Sequence, residues 1–201
     1  IDLHCFSAPA QKAVSPGVRA LFAGHNFQLK GLAVTLQALA LVRGDITLTV
    51  AGGDHPAHWR RLATRLGVAD RVRFVGVVDT STLVSLYRES DVLLHPAAYD
   101  PFPRVVLEAL ACGCPVITTS TCGTSEIISQ GHDGWVIDAI DATDANHATD
   151  VAAKIADRLG QLRDVDVRRT MSARAALAGR QFDFETHANE VLGWMGLPAD
   201  A

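Results

Sequence analysis

Two carboxylates eight residues apart are the strongest chemical signal in the sequence. Asp100 precedes a helical segment, and Glu108 lies on its second turn. An α-helix rises about 1.5 Å per residue, so Glu108 is expected several ångströms behind the helix N-terminus. Carboxylates placed in this way can accept hydrogen bonds from two groups of hydroxyls on one extended ligand. The helix N-terminus lies between the two carboxylates. Its unpaired N–H groups and partial positive charge suit a phosphate.

Each of these residues also has an ordinary explanation when it is considered alone. Asp100 could be a solvated loop acid, and Glu108 a polar helix position. His95 ends a buried apolar run, where it could donate to a ligand or be a satisfied structural histidine. Cys112 and Cys114 are close in sequence, but no second pair of cysteines or nearby histidines gives the spacing of a zinc site. No metal site is therefore predicted, and the cysteines are interpreted as small buried hydrophobes.

The segments that must position these residues alternate between strand-like and helical patterns. Short runs rich in β-branched residues predict strands at 20–23, 46–51, 72–75, 92–95, 116–119 and 135–137. Helical spacing predicts helices at 32–42, 59–66, 82–89, 105–111 and 125–129. Apolar strands separated by helices indicate an α/β fold, a Rossmann-like doubly wound parallel sheet of about six strands. Its ligand-binding loops follow the strands, at 24–30, 52–56, 76–79 and 96–104.

The whole chain is interpreted as one ligand-binding domain, 1–201. Residues 1–143 form the Rossmann-like core, and residues 144–201 contribute C-terminal helices at 150–162, 167–179 and 184–195. The formal net charge is −4 at pH 7, which gives no reason to expect nucleic-acid binding. No apolar run approaches the ~20 residues of a membrane span. Reduced cysteines favour a cytoplasmic location.

The sequence around the two carboxylates resembles a known family of enzymes. Asp100-x7-Glu108, within Tyr-Asp-Pro-Phe-Pro-x-Val-Val-Leu-Glu-Ala-Leu-Ala-Cys-Gly-Cys-Pro-Val-Ile, is similar to the Glu-x7-Glu motif of family 4 glycosyltransferases. These are retaining enzymes of the two-domain GT-B fold. Further features agree in order, among them Gly24 to Lys30-Gly31, Val50-Ala-Gly-Gly53 and Phe74-Val-Gly76. Leu93-Leu-His-Pro-Ala resembles the lipopolysaccharide core glucosyltransferase branch.

The resemblance implies a role for each matching residue. Lys30 is expected to neutralise the departing nucleoside diphosphate, although it could instead be a surface lysine that begins a helix. Glu108 is expected to bind ribose hydroxyls, and Asp100 hydroxyls of the transferred sugar. The other predicted donor-binding residues are those of the glycine-rich loops and of the start of the helix, namely Gly24, His25, Gly53, Gly76, Phe102, Pro103, Arg104, Val105 and Val106.

Three residues depart from the family pattern. Asp100 replaces a glutamate and so reaches less far toward the sugar. Pro103 stands where glycine is usual, which removes one N–H from the donor-facing turn. His25 occupies the place of an arginine that often assists the lysine, and a neutral histidine weakens a phosphate clamp. These changes suggest altered sugar preference or reduced activity, with no consequence for the fold.

The resemblance implies that the chain is the C-terminal, donor-binding half of a glycosyltransferase. The N-terminal acceptor domain is expected to be absent from this chain, so that the fragment binds donor but does not turn over unaided. A nucleoside diphosphate sugar, with a UDP-sugar favoured, is the expected donor, and no cofactor is expected. The intact enzyme is expected to act in lipopolysaccharide or cell-surface glycan synthesis. It is expected to contact the inner membrane face peripherally, through the missing domain. The alternatives are a catalytically inert nucleotide-sugar-binding module and a nucleotide-sugar 2-epimerase domain.

Overall fold

One six-stranded parallel sheet forms the centre of the computed structural model, which describes residues 1–139 and 145–195. The strand order is β3-β2-β1-β4-β5-β6, and every pairing is parallel. The predicted α/β, Rossmann-like sheet is therefore confirmed. The strands are β1 (Val18–Ala23), β2 (Ile46–Ala51), β3 (Val72–Gly76), β4 (Val92–His95), β5 (Val116–Thr119) and β6 (Gly134–Ile137).

Seven α-helices connect and cover these strands in the described part of the chain. Successive residues of β1 point to opposite faces, so Phe22 packs in one apolar cluster and Leu21 in the other. Leu36 and Ile155 lie on the first face, and Val106 and Ala175 on the second. The helices are α1 (Leu32–Leu41), α2 (Ala57–Arg65), α3 (Thr80–Glu89), α4 (Arg104–Ala111), α5 (Ala145–Gln161), α6 (Val165–Gly179) and α7 (Phe184–Trp194).

Some of the sequence predictions need correction. The helix expected at 125–129 is wrong, because the chain forms a 3₁₀ turn at Gly123–Ile127. A contact with the loop after β4 holds this turn, since the Gly123 amide donates to the Asp100 carbonyl at 2.9 Å. Trp194 and Met195, at the end of the described residues, are largely exposed within this chain. The predicted boundary near residue 143 lies outside the described residues.

The strand order creates a crevice at one edge of the sheet. From β1 the chain proceeds to β2 and β3 on one side, and from β4 to β5 and β6 on the other. The loops after β1 and β4 therefore diverge outside the carboxyl ends of two adjacent strands, which is where doubly wound sheets bind ligands. Within the described ranges, none of the helices is long and apolar enough to cross a membrane.

Candidate functional site

The loop after β1 is held in shape by a carboxylate from the neighbouring loop. Asp54 follows β2, and its two carboxylate oxygens accept hydrogen bonds from the amides of Asn26 and Phe27, each at 2.8 Å. Asn26 has a left-handed backbone with φ of 57°. The Lys30 amide then donates to the Asn26 carbonyl at 3.0 Å. The loop delivers Lys30 to the start of α1 in a fixed position.

The loops after β1 and β4 touch each other directly. Gly31 has a φ of +83°, and a Cβ placed on it would lie 2.0 Å from the Pro96 carbonyl oxygen. Only glycine fits both the conformation and the close approach. The Ala98 amide also donates to the Leu29 carbonyl at 2.9 Å. The two loops form one wall of the crevice.

Three predicted candidates meet in this crevice. The Lys30 Nζ donates to Asp100 Oδ2 at 2.5 Å, and His95 Nε2 lies 2.9 Å from the same oxygen. Asp100 is acceptor-only when ionised, so the His95 proton must be on Nε2. Burial raises the pKa of Asp100, but hydrogen bonds from His95 and Lys30 outweigh it and hold the pKa below its ordinary value. Asp100 is therefore a carboxylate at neutral pH.

His95 is buried and held from behind by β5. The Thr118 hydroxyl donates to the His95 carbonyl at 3.1 Å, and the side chain itself is 1% exposed. Burial alone lowers the pKa of His95, but the hydrogen bond to Asp100, followed by the nearby Cys122 thiol, raises the pKa above its ordinary value overall. His95 is thus a buried residue whose ring contacts the site carboxylate, and its donation to a ligand stays a prediction.

Glu108 occupies a separate buried position on α4. Its Oε2 accepts a hydrogen bond from the Tyr87 hydroxyl of α3 at 3.1 Å, and Oε1 lies 3.6 Å from Arg104 Nη2. Burial, followed by the charge of Glu108, raises the pKa of Tyr87 well above its ordinary value. In the described part of the chain, no ion pair or hydrogen bond joins Glu108 to Lys30 or Asp100. Tyr87 holds Glu108 in position while one of its oxygens stays near the exposed Arg104.

Two of the predicted glycine-rich loops lie next to each other. His25 is exposed, and a Cβ added to Gly53 would meet its Nδ1 at 3.0 Å. Gly24 lies beside the stem of Lys30, whose Cγ would be 3.8 Å from a Cβ at Gly24. Gly76 ends β3 with a φ of +75°, and its carbonyl accepts the Gly52 amide at 2.8 Å. These loops form the outer rim of the same sheet edge.

The start of α4 completes the edge near Asp100. Pro103 is the N-cap residue of α4 and is buried, whereas Phe102 and Arg104 are exposed. Val105 is half-buried and Val106 is buried. The first amides of an α-helix have no partner within the helix, so the N–H groups of Arg104 and Val105 are available to an anion. The Val106 amide, in contrast, already donates to the Pro103 carbonyl at 3.1 Å.

Several residues of the site were missed by sequence reasoning. Asp54, Tyr87, Thr118 and Cys122 all act across elements distant in sequence, and none belongs to a spaced motif. Asp54 had one usable signal, since it follows a strand in one of the predicted ligand loops. No group of three histidine, cysteine, aspartate or glutamate side chains that could hold a metal occurs among residues 1–139 and 148–195.

The strand order and the polar crevice at its switch point define a Rossmann-like, doubly wound α/β domain. The family model of the glycosyl transferases group 1 matches residues 10–161. The chain therefore belongs to the group 1 glycosyltransferase family.

Two curated relatives illustrate the similarity. The D-inositol 3-phosphate glycosyltransferase of Corynebacterium urealyticum is 30% identical and is aligned over 95% of this chain and 48% of its own length. The lipopolysaccharide glucosyltransferase WaaG of Escherichia coli K12 is 38% identical, over 57% of this chain and 31% of its own. The chain spans between about a third and a half of the length of the curated relatives it matches.

Solved structures agree on the fold. The crystal structure of WaaG superposes with a TM-score of 0.72 at 27% identity, covering 90% of this chain and 48% of that chain. HepE of Anabaena in complex with UDP-glucose superposes with a TM-score of 0.80, covering 98% and 55% respectively. Its identity is only 21%, so that likeness shows the fold alone. These neighbours are GT-B glycosyltransferases, and this chain has the fold of one half of such an enzyme.

Proposed function

We propose that the chain is the donor-binding domain of a retaining glycosyltransferase that uses a nucleoside diphosphate sugar, with a UDP-sugar favoured. The observation that carries the proposal is the meeting of Lys30 and Asp100 in the crevice between the loops after β1 and β4. A cation and a sugar-binding carboxylate are the two groups that such a donor needs at its centre. The fold shared with HepE, which was solved with UDP-glucose, supports a nucleotide-sugar ligand.

Each site residue has a role in this proposal. Lys30 binds the diphosphate and compensates the negative charge that grows on it as the glycosidic bond breaks. The turn before α4 and the helix N-terminus add the amides of Phe102, Arg104 and Val105, while Pro103 has no N–H to contribute. Val106 lines the site without its amide, which donates to the Pro103 carbonyl. Asp100 binds hydroxyls of the sugar, and Glu108 binds the ribose. Gly24, His25, Gly53 and Gly76 line the diphosphate and base.

A second domain is required for turnover in this proposal. The relatives are two to three times as long as the matched segment, and closure between two domains completes a catalytic site and excludes water. We propose that the intact enzyme transfers the sugar to a hydroxyl acceptor with retention of configuration, and that this chain alone binds donor without transferring it. A cytoplasmic location with peripheral contact at the inner membrane face stays a prediction.

Two acceptor classes are supported by different relatives. The similarity to WaaG favours lipopolysaccharide or another cell-surface glycan. The D-inositol 3-phosphate glycosyltransferases align over nearly the whole chain and favour a small phosphorylated polyol. The acceptor is held by the other half of a GT-B enzyme, so assays of the full-length protein with both acceptors distinguish the two.

Calorimetric titration of the chain with UDP, UDP-glucose and GDP-mannose tests donor binding. We expect UDP to bind, and Lys30→Met to weaken it by roughly 10- to 100-fold, because a hydrogen bond to a charged group contributes about 1.5–3 kcal/mol. Lys154→Met is the matched control, since Lys154 forms an exposed i,i+4 ion pair with Asp150 on α5.

Two results would count against the proposal. Absence of binding by any of the three nucleotides at millimolar concentration would contradict the proposed donor site. Sugar transfer by the isolated chain would contradict the requirement for a second domain.

A further inference from the structure

A single oxygen of Asp100 serves two donors at once. Lys30 Nζ and His95 Nε2 both contact Oδ2, at 2.5 and 2.9 Å. The two donors differ in mobility, because the Lys30 side chain is 20% exposed on a flexible stem whereas His95 is 1% exposed within β4. Lys30 can leave Asp100, and His95 cannot.

We propose that His95 is a positioning residue that determines whether Asp100 retains Lys30 or releases it to the donor diphosphate. This inference rests on the proposed function, in which Lys30 binds the diphosphate. In the free chain the carboxylate compensates the lysine charge, so Lys30 must break this ion pair before it can bind donor. His95 makes that exchange easier when it carries its own positive charge, because Asp100 then keeps a charged partner after Lys30 has left.

Few charged or titratable groups face the imidazole. Asp100 comes from the loop after β4, the Cys122 thiol from the loop after β5, and Lys30 acts on the ring only through Asp100. The His95 ring hydrogen-bonds Asp100 through Nε2, whereas its Nδ1 is buried without a hydrogen-bond partner in the described part of the chain. The contact with Asp100, followed by the nearby Cys122 thiol, raises the pKa of His95 despite its burial. Asp100 and Cys122 both have pKa values below their ordinary ones. The contact of Nε2 with the Asp100 carboxylate therefore favours the charged form of the ring.

The direction of the coupling follows from linkage. Donor binding removes Lys30 from Asp100, which increases the charge that Asp100 presents to His95. The pKa of His95 then rises further, and a proton is taken up. By reciprocity, lowering the pH through the titration of His95 must strengthen donor binding.

The competition can be tested without any ligand by following the His95 ring through a pH titration by NMR. We expect Lys30→Met to raise the pKa of His95 by about half a pH unit or more, because Asp100 then interacts with His95 alone. Asp100→Asn is expected to lower the pKa. The exposed ring of His132 serves as an internal control whose titration should not move. An unchanged His95 titration in Lys30→Met would overturn the inference while leaving donor binding untouched.

A second test measures the pH dependence of donor binding. UDP-glucose is the probe, because its esterified diphosphate lacks the phosphate monoester that titrates near pH 6. We expect affinity to fall about five-fold or more between about pH 6 and pH 8.5. His95→Asn, which can still donate to Asp100 but does not titrate, should bind with little pH dependence, whereas His132→Asn should behave like the wild type.

The two proposals fail in different ways. If UDP binds but His95 titrates identically with and without saturating UDP, the coupling is wrong and the donor site stands. If no nucleotide binds at any pH, the proposed function fails, and the Lys30→Met titration still decides whether the two donors compete.

Discussion

The two ends of the sheet each hold a buried aspartate among cations, and they hold it differently. At the amino end, Asp91 Oδ2 accepts the Arg19 amide at 2.8 Å and lies 3.7 Å from Arg168 Nη1. Arg168 also donates to the carbonyls of Gly17 and Ser15, at 2.7 and 3.0 Å. At the carboxyl end, Asp100 is held by the side chains of Lys30 and His95, and that of Lys30 is partly exposed.

This difference separates a structural ion pair from a binding site. Arg168 is 4% exposed, donates to two carbonyls before β1 and forms an ion pair with Asp91, so it attaches α6 to the chain before β1. Arg168 cannot leave this position without separating its buried charge from Asp91. Lys30, in contrast, has one partner and access to the crevice. A buried carboxylate with a replaceable partner is the stronger indication of a ligand.

The largest expected effect comes from breaking the amino-end cluster. Arg168→Met should reduce the free energy of unfolding by about 3 kcal/mol, because two carbonyls lose their charged donor and Asp91 keeps only Arg19 as a cationic partner in the described part of the chain. Urea denaturation measures the loss. Arg169→Met is the matched control, since Arg169 is exposed and its ion pair within the described residues is with Asp166 at 3.7 Å. It should change stability by less than about 0.5 kcal/mol. Equal losses of stability in the Arg168 and Arg169 variants would show that the Arg168 cluster has no special structural role. The contrast with the carboxyl end of the sheet would then be lost.

A smaller effect is expected from neutralising the carboxyl-end aspartate. Asp100→Asn frees Lys30 from an ion pair that is partly exposed and worth about 0.5–1 kcal/mol. UDP should therefore bind about two- to five-fold more tightly by calorimetry, and the free energy of unfolding should fall by no more than ~1 kcal/mol. Weaker UDP binding in this variant would mean that Asp100 positions Lys30 for the diphosphate and does not compete for it.

The smallest effect concerns pH and stability. The folded-state pKa of His95 is raised, so its contribution is fully present below the ordinary value of 6.5 and is lost as the pH rises through the folded-state pKa. The stability difference between the wild type and His95→Asn, measured by urea denaturation, should therefore shrink as the pH increases above about 6.5. A difference that is constant with pH would assign His95 a packing role only.

Much of the fold could be predicted because the strands are short runs rich in β-branched and apolar residues. Runs such as 46–51 and 92–95 match the observed strands at both ends. The turn at Gly123–Ile127 could not be predicted, since its form depends on a contact with the Asp100 carbonyl. Tertiary contacts override local helical spacing in so short a segment.

The candidate site could be predicted only as far as topology allows. Lys30 and Asp100 each follow a strand, and adjacent parallel strands bring such residues to one edge of the sheet. The sharing of Asp100 between Lys30 and His95 depends on side-chain geometry and leaves no pattern in the sequence. Asp54 and Tyr87 are similar cases, because each contacts a loop or helix contributed by a different part of the chain.

The contact between Gly31 and Pro96 limits how this pocket can be redesigned. Any larger residue at 31 would push apart both loops together, so neither can be reshaped independently of the other. Substitutions that alter ligand selectivity should be made at Tyr99 and Phe102. Both side chains are exposed and lie outside the contact between Gly31 and Pro96. Libraries confined to those two positions should retain folding while altering selectivity.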